Sequence, residues 1–250
     1  MISSKNKLIK QIKAINAGKI KDKFIIEGEK WLISNPISLN IEYFVISKSA
    51  YNKYKFLLEK YHVYIASDIL IKSLSNTITP QGIIAVCYKE RNDLEDFVIK
   101  PDSFILMIDQ VSDPGNMGSI LRTALAFGID FIIISKNCVN IYNNKVIRST
   151  AGAIFSLNIV DEVDLPLACN YLQKKGVKLI ATSSHATNYH YNIDLKQSIC
   201  LIFGNESTGV SESVISLCDY QVKIPINNIE SLNVSVACGI LLHEAWRQRI

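Results

Sequence analysis

Three stretches of this 250-residue chain place glycines and polar side chains together at predicted turns, where a ligand could bind. In the first, residues 109–128, a turn with two glycines separates an apolar run from a helical pattern. Backbone N–H groups converge at such a turn and the helix dipole favours negative charge, so the turn suits an anion or a nucleotide. Arg122 lies one turn into the predicted helix, among apolar residues. Its guanidinium either faces solvent or binds a phosphate or carboxylate, and spacing alone favours neither interpretation.

The second stretch, residues 201–210, places Glu206 directly after a buried-strand pattern, between Gly204 and Gly209. Ligands of α/β proteins bind at the carboxyl edge of the sheet, which is where this carboxylate is predicted to lie. The alternative is structural: Glu206 caps the next helix or lies in a solvated turn. Taken alone, the stretch favours this alternative.

The third stretch, residues 224–249, begins with a turn and continues as a long helical pattern. Ser231 is predicted to cap that helix, with Asn233 in its first turn. The apolar residues that follow are typical of a helix facing a core, and a lone imidazole such as His243 on such a helix is more often packed than catalytic. Taken alone, this stretch indicates a terminal docking helix.

The elements that must position these stretches form two α/β parts. In residues 1–90 we predict helices over 5–17, 29–34, 51–61 and 69–73, the last capped by Asp68, and strands over 24–27, 41–47, 63–65 and 81–88. In residues 103–250 we predict strands over 104–109, 131–135, 157–160, 178–182, 198–203 and 221–224, and helices over 118–127, 165–175 and 232–249. The charged residues between them, 91–102, are predicted to be a linker. The strand, turn, helix, strand order of the second part indicates parallel strands.

Composition narrows the class of protein. The net charge is only +4, yet residues 1–30 hold eight lysines against three acidic residues, so the positive excess lies at the amino terminus. The six cysteines are scattered with no Cys-x-x-Cys pair, which indicates buried thiols in a reducing cytoplasm and neither a disulfide framework nor a zinc site. No apolar run approaches the roughly 18 residues of a membrane span, and no Gly-x-Gly-x-x-Gly fingerprint supports a dinucleotide-dependent enzyme.

Together, in this order and with this spacing, the three stretches resemble the three motifs of the SpoU (TrmH-like) family of RNA 2′-O-ribose methyltransferases, in the SPOUT superfamily. The matching residues are 113–124 (DPGNMGSILRTA), 204–209 (GNESTG) and 224–237 (IPINNIESLNVSVA). The resemblance covers residues 103–250, and residues 1–90 are more loosely similar to the family's L30e-like RNA-substrate domain. Three positions depart from the family pattern: Ile226 stands where methionine is usual, Asn228 where glycine is usual, and His243 where tyrosine is common. Asparagine adopts left-handed backbone angles more readily than most residues, so we expect the turn at Asn228 to persist.

The resemblance implies a fold, a cofactor and an assembly. The carboxy-terminal domain is expected to carry the family's parallel sheet and deep trefoil knot, an exception to the rule that chains do not thread loops. S-adenosylmethionine would lie in the knot, contacted by main-chain groups of Gly204, Ile224 and Leu232, with Thr182 as a weaker candidate. The family is dimeric through this domain, so a homodimer is expected.

The resemblance also implies roles in catalysis. A ribose hydroxyl has a pKa far above 7, so methyl transfer needs a base or a field that stabilises the forming oxyanion. We expect Arg122 to bind the target phosphate and stabilise the 2′ oxygen, because a guanidinium resists deprotonation. Asn116 is expected to hold Arg122 or the ribose. Glu206, Ser231 and Asn233 are expected to orient the hydroxyl and the loops, with Glu206 as an alternative proton acceptor.

The function implied is methylation of structured RNA in the cytoplasm, with large-subunit ribosomal RNA favoured over transfer RNA because of the auxiliary domain. A non-catalytic RNA-binding protein that has kept the fold is the alternative from another class. The lysines of the predicted helix over 5–17 suit RNA phosphates, although a merely solvated helix face explains them as well. No metal and no membrane partner are expected.

Overall fold

The computed structural model describes residues 2–29, 31–32 and 39–250, and the helix predicted over 29–34 falls largely outside them. The strands are β1 Lys23–Glu27, β2 Ile41–Ser47, β3 Val63–Ala66, β4 Ile83–Tyr88, β5 Phe104–Ile108, β6 Phe131–Ser135, β7 Ile159–Val163, β8 Lys178–Thr182, β9 Asn188–Tyr189, β10 Ile199–Phe203 and β11 Tyr220–Lys223. The α-helices are α1 Lys7–Asn16, α2 Lys48–Leu58, α3 Asp68–Leu74, α4 Pro114–Ala126, α5 Asn144–Ser149, α6 Leu165–Lys174, α7 Glu212–Ile215 and α8 Val234–Arg249.

The chain forms two compact units, and one segment belongs to a different unit from the one its sequence position suggests. The first unit is Met1–Glu90 together with Tyr142–Phe155, and the second is Arg91–Ile141 with Ser156–Ile250. Sequence order places 142–155 inside the second part of the chain, whereas its contacts group it with the first. The predicted linker 91–102 is packed in the second unit, where Leu94 joins the core and Phe97 stacks on Phe131 at 5.1 Å between ring centroids.

The first unit is built on a four-stranded sheet in the order β1-β4-β2-β3, with the β2–β3 pair parallel and the other two pairs antiparallel. Apolar residues alternate along β4, so one set packs on each face of the sheet. Helix α1 covers one face with Ile9, Ile12 and Ile15 and turns its lysines outward. Its amphipathic pattern is therefore confirmed.

Two helix starts in the first unit differ from the predicted ones because serines cap them. The hydroxyl of Ser47 accepts a hydrogen bond from Ala50 N, so α2 begins three residues before the predicted position 51. The hydroxyl of Ser67 accepts from Leu70 N, so the prediction that Asp68 caps α3 is wrong. Asp68 is instead the first helical residue, where its charge favours the positive end of the helix dipole.

The second unit is built on a seven-stranded sheet in the order β7-β6-β5-β10-β8-β11-β9, in which every recorded pair of neighbours is parallel. Strands β5, β6 and β10 are buried along their whole length, as expected for parallel strands covered on both faces. The predicted α/β class with a parallel sheet is confirmed. The strand predicted over 157–160 begins later, at Ile159.

Both helices that follow the predicted turns begin at residues other than those predicted. Helix α4 begins at Pro114 instead of residue 118, because Asp113 Oδ1 accepts a hydrogen bond from Asn116 N and proline suits the first helical position. Helix α8 begins at Val234, and Asn233 caps it by accepting a hydrogen bond from Ser235 N. The prediction that Ser231 caps this helix is therefore wrong.

The end of α8 is fixed to the loops beside it. The Arg249 guanidinium donates hydrogen bonds to the carbonyls of Asp102, Leu195 and Gln197, and it lies 4.6 Å from the ring centre of Phe104. Bonds from a charged donor to several carbonyls are stronger than neutral ones, so they hold the helix in one position. Among the residues that the structure describes, no helix is long and apolar enough to cross a lipid bilayer.

Candidate active site

Four neighbouring parallel strands bring the three polar stretches to one edge of the second unit's sheet. Strands β5 and β10 pair with Ile108 opposite Phe203, so the turns that begin at Asp109 and Gly204 leave the sheet side by side. Strands β8 and β11 follow in the sheet, and Thr182 lies opposite Val222 near their ends. The carboxyl edge is where α/β proteins bind ligands, so this edge is the candidate site.

The carboxylate of Glu206 binds the turn before α4. One oxygen, Oε1, accepts hydrogen bonds from Asp113 N at 3.1 Å and from Asn116 Nδ2 at 3.0 Å. The other, Oε2, accepts from the backbone N and the hydroxyl of Ser112, each at 3.3 Å. The alternative in which Glu206 caps the next helix is wrong, because that helix begins at Glu212 and Glu206 bonds elsewhere.

These hydrogen bonds favour the ionised form of Glu206. Partial burial alone raises the pKa of a carboxyl group, but the bonds from Asn116 and from the backbone N–H groups of residues 112 and 113 outweigh it and lower the pKa of Glu206. The carboxylate is therefore ionised at neutral pH, and its oxygens already accept hydrogen bonds. A group in this state is a weak proton acceptor and a strong structural acceptor.

Asn116 and Asn233 extend the same chain of hydrogen bonds. Asn233 Oδ1 accepts from the backbone N and the hydroxyl of Ser235, which leaves its Nδ2 to donate to Asn116 Oδ1 at 3.0 Å. Asn116 in turn donates through Nδ2 to Glu206. Side chains from all three stretches, far apart in sequence, are thus joined in one chain of hydrogen bonds.

The loop after β10 is closed by a tight backbone contact at Gly204. A Cβ atom at Gly204 would lie 2.0 Å from the carbonyl carbon of Gly209, so no side chain fits there. Asn205 and Gly209 exchange two backbone hydrogen bonds of 2.9 and 3.0 Å, and Asn205 Nδ2 donates to the carbonyl of Gln110 at 2.8 Å. The glycine therefore sets the shape of a loop that is also tied to the turn before α4.

Arg122 lies apart from this chain of hydrogen bonds. It is exposed, and its guanidinium makes no hydrogen bond or ion pair with the described part of the chain. Because α4 begins at Pro114, Arg122 is more than two turns into the helix instead of one. The expectation that Asn116 holds Arg122 is not met, since the Asn116 side chain bonds Glu206 and Asn233. The guanidinium is free to bind an anion.

The segment 224–232 leaves its main-chain polar groups available. Across the described residues, none of its N–H or C=O groups takes part in a hydrogen bond, although the segment starts at the carboxyl end of β11. Asn228 has a φ of 65°, so the predicted left-handed turn is confirmed. Ile224 and Leu232 are half-buried and Ser231 is exposed. Thr182, in contrast, has its hydroxyl engaged with the Ile202 carbonyl at 3.0 Å.

Sequence analysis missed two residues that support the site. Asp109 is 2% exposed, and its Oδ2 accepts a hydrogen bond from Ser211 N at 2.8 Å, which anchors the far end of the glycine loop. Gln110, with a φ of 57°, turns the chain after β5 and accepts the bond from Asn205. The position of Asp109 in the sequence could have identified it as a site residue, because it follows a buried strand, as Glu206 does.

A parallel α/β sheet whose polar loops meet at the carboxyl edge defines a ligand-binding or catalytic domain. Residues 103–243 match the model of the SpoU rRNA Methylase family, so the chain belongs to that family. The resemblance drawn from the three motifs is thereby confirmed.

Named relatives and a solved structure are similar over most of the chain. The 23S rRNA (guanosine(2553)-2'-O)-methyltransferase RlmP of Bacillus subtilis is 31% identical over 245 residues, 96% of both chains. An uncharacterized tRNA/rRNA methyltransferase of Synechocystis is 34% identical over 199 residues, 78% of this chain and 71% of the relative. The SpoU methyltransferase AviRb of Streptomyces viridochromogenes, solved in complex with the cofactor AdoMet, aligns with a TM-score of 0.88 over 98% of both chains at 25% identity.

The ionised state of Glu206 gives a pH-dependent prediction. Glu206→Gln replaces one acceptor oxygen with an amide that faces N–H donors, so we expect a lower Tm at pH 7. The loss should be about 1 kcal/mol or less, because the side chain is exposed and water screens its bonds.

The difference should shrink as the pH falls below the ordinary glutamate pKa. The folded pKa is lowered, so the stabilisation is present above the unfolded value and is lost as the wild-type carboxylate becomes protonated. Thermal unfolding of both proteins between pH 8 and pH 3 measures it. Glu162→Gln, on an exposed side chain of the same unit outside any helix, is the matched control and should leave Tm unchanged. A constant difference across the pH range would contradict the assignment.

Proposed function

We propose that this protein transfers a methyl group from S-adenosylmethionine to a ribose 2′-hydroxyl of 23S ribosomal RNA. The observation that carries the proposal is the hydrogen-bonded chain Asn233–Asn116–Glu206, which joins all three family motifs at the carboxyl edge of the sheet. Family membership and the names of the relatives support the reaction and the class of RNA.

The cofactor would be held mainly by main-chain groups. S-adenosylmethionine supplies an electrophilic methyl group on a sulfonium. The unengaged N–H and C=O groups between Ile224 and Leu232 fit the adenine and ribose of such a ligand, because a nucleoside offers both donors and acceptors. Gly204 keeps the facing loop close to the sheet. Thr182, whose hydroxyl donates to the Ile202 carbonyl, would lie beside the cofactor at the end of β8.

Arg122 is the proposed catalytic residue. Its exposed guanidinium is free to bind a phosphate of the target nucleotide and to stabilise the 2′ oxygen as negative charge develops. Glu206 is a poor candidate for the base, because its pKa is lowered and its oxygens already accept hydrogen bonds. We assign Glu206, Asn116 and Asn233 to holding the loops, and the exposed hydroxyl of Ser231 to orienting the ribose.

Three structural features are part of the same proposal. The second unit would carry the family's trefoil knot, supported by the alignment with AviRb over 98% of both chains. The first unit, with its mixed four-stranded sheet, would be the L30e-like RNA-substrate domain predicted over residues 1–90, with residues 142–155 added to it and residues 91–102 belonging to the second unit. The enzyme would work in the cytoplasm, where ribosomal RNA is modified. Transfer RNA as the substrate, and a non-catalytic RNA-binding role, are the alternatives.

A homodimer through the second unit is proposed from an exposed apolar surface. Val236, Ile240 and Trp246 on α8 are 51%, 36% and 40% exposed, and Leu125 on the adjacent α4 is 40% exposed. Apolar side chains gathered on one helix face are typical of a protein interface. Arg122 lies on the same helix as Leu125, so a partner subunit bound here could receive it.

The role of Arg122 is tested by Arg122→Ala. We expect methyl transfer to a 23S rRNA transcript to fall about 100-fold or more, as for the loss of a group that stabilises a developing oxyanion. S-adenosylmethionine binding, measured by calorimetry, should be retained. Lys174→Ala, an exposed cation at the end of α6, is the matched control and should keep full activity. Unaltered methyl transfer by Arg122→Ala would sink the proposed mechanism.

The lysines of α1 are tested by substitution and not by deletion. Deleting the helix would remove Ile9, Ile12 and Ile15 from the core of the first unit. Lys7, Lys10 and Lys13 of α1 and Lys5 just before it are exposed. Changing all four to Gln should make the salt dependence of RNA binding shallower by about 0.7–0.9 in log–log slope for each lysine that contacts a phosphate. Filter binding from 50 to 300 mM KCl measures it. An unchanged slope would favour the solvated-face interpretation.

The dimer is tested by Ile240→Glu. A charge in the centre of the apolar surface should give a monomer in size-exclusion chromatography with light scattering, because burying an unpaired carboxylate opposes association. Val98→Glu places the same charge at another exposed apolar residue and should leave the dimer intact. If wild type and Ile240→Glu have the same mass, the α8 surface is not the interface.

A further inference from the structure

The first unit contains a cavity that the proposed catalytic site does not use. It has a volume of about 160 Å³ and lies between β1, the start of β4, helix α3 and the loop that joins α3 to β4, residues 75–82. Arg148 of α5 also lines it, although it lies more than sixty residues further along the chain. A cavity of about 150 Å³ can hold a benzene ring, so this one has room for a single planar ring.

The loop that forms the rim is held in place by Glu27. The carboxylate accepts hydrogen bonds from the Ser75 hydroxyl, from Asn76 N at 2.9 Å and from Asn76 Nδ2 at 3.2 Å. Gln81 Oε1 accepts from Glu29 N at 2.8 Å and fixes the other end of the loop. Because these bonds hold the loop in place, the cavity is preformed. The Glu27 carboxylate in its wall already accepts hydrogen bonds from the loop.

Three polar groups at the cavity are left for a ligand. The Thr79 hydroxyl, the Gln81 Nε2 amide and the Arg148 guanidinium have no hydrogen-bond partner within the described ranges of the chain. They adjoin apolar wall residues, among them Ile71 and Ile83. Apolar wall residues with an amide and a hydroxyl beside them suit a heteroaromatic ring, and a guanidinium beside the ring suits a phosphate.

The cavity also adjoins the lysine-bearing helix. Asn16, the last residue of α1, accepts hydrogen bonds on Oδ1 from Asn76 Nδ2 and from Asn144 Nδ2, each at 3.2 Å. Helix α1, the rim loop and helix α5 therefore meet at one side chain. The exposed lysines of α1 and the cavity both belong to the first unit.

We propose that this cavity binds one unpaired base of the RNA substrate, with Arg148 on the adjoining phosphate. The proposal rests on the proposed function, since it names how the first unit engages the same RNA. Proteins recognise RNA sequence mainly through splayed bases of loops and bulges, which present a flat face and a hydrogen-bonding edge. The cavity has room for the ring only, so the rest of the affinity comes from backbone phosphates, for which the α1 lysines are placed.

The first test uses filter binding to compare the affinity of the wild-type protein and of three variants for an unmodified 23S rRNA transcript. Arg148→Gln removes the cation, and Thr79→Leu fills the cavity at an exposed position. Each should raise Kd about tenfold, with kcat at saturating RNA within twofold of wild type and Tm unchanged. Lys145→Gln removes a charge from the same helix outside the cavity, and it should change Kd less than twofold.

The second test locates the contact directly. Crosslinking of the wild-type protein to the same transcript carrying 4-thiouridine, followed by mass spectrometry, should yield RNA-linked peptides from residues 75–82. The inference is overturned if Arg148→Gln and Thr79→Leu bind like wild type, if Lys145→Gln weakens binding as much as Arg148→Gln, or if no crosslink falls in this loop. Kd and the crosslink position are both measured without methyl transfer. A wild-type protein that binds RNA but methylates none would refute the proposed function and leave the cavity to be judged by these results.

Discussion

The site depends on the hydrogen bonds that the ionised carboxylate of Glu206 accepts. Its two oxygens accept four hydrogen bonds from the turn before α4 and from Asn116, and Asn116 passes the connection to Asn233 at the start of α8. These bonds cross 90 and 117 residues of sequence. They also lower the pKa of Glu206, so the same contacts that hold the loops keep the group charged. A neutral carboxyl could not accept all four bonds equally well, which is why protonation and loop geometry are coupled.

That coupling leads to a division of roles within the site. Groups that are already bonded to one another, Glu206, Asn116 and Asn233, have little capacity left for a proton or a substrate oxygen. Groups without partners along the described chain, the Arg122 guanidinium and the main chain of 224–232, keep theirs. A preorganised set of loops with a few unengaged donors is what electrostatic stabilisation of a developing charge requires, because the donors need not reorganise during the reaction.

Part of this arrangement could be predicted from sequence. The bounds of β2, β6 and β8 match the predicted ones, because each is a short apolar run between polar or glycine residues. The predicted starts of α4 and α8 were wrong for a common reason: in each case another nearby residue caps the helix. Gly115 made the Asp-Pro-Gly sequence look like a turn, although Asp113 caps and Pro114 begins a helix. Asn233 caps α8 in place of Ser231, and its amide also bonds Asn116, a tertiary contact that no local pattern contains. The donors to Glu206 and the packing of residues 142–155 with the first unit are also tertiary contacts, so a local sequence pattern could not predict them.

The distribution of charge between the two units depends on the packing of residues 142–155 in the first unit, and not on sequence order alone. Residues 101–250 hold eleven lysines and arginines against thirteen acidic residues, but Lys145 and Arg148 belong to the segment that packs in the first unit. The second unit is therefore more acidic than its sequence range, and Arg122 is exposed in a domain with no cationic excess. The first unit gains both cations, on a helix that meets the end of the lysine-bearing α1 at Asn16. Helix α1 contributes both to the core and to the positive charge of the first unit, because it buries Ile9, Ile12 and Ile15 and carries the exposed lysines. The α1 lysines are thereby held on a packed surface, where less conformational entropy is lost when a polyanion binds than with a flexible arm.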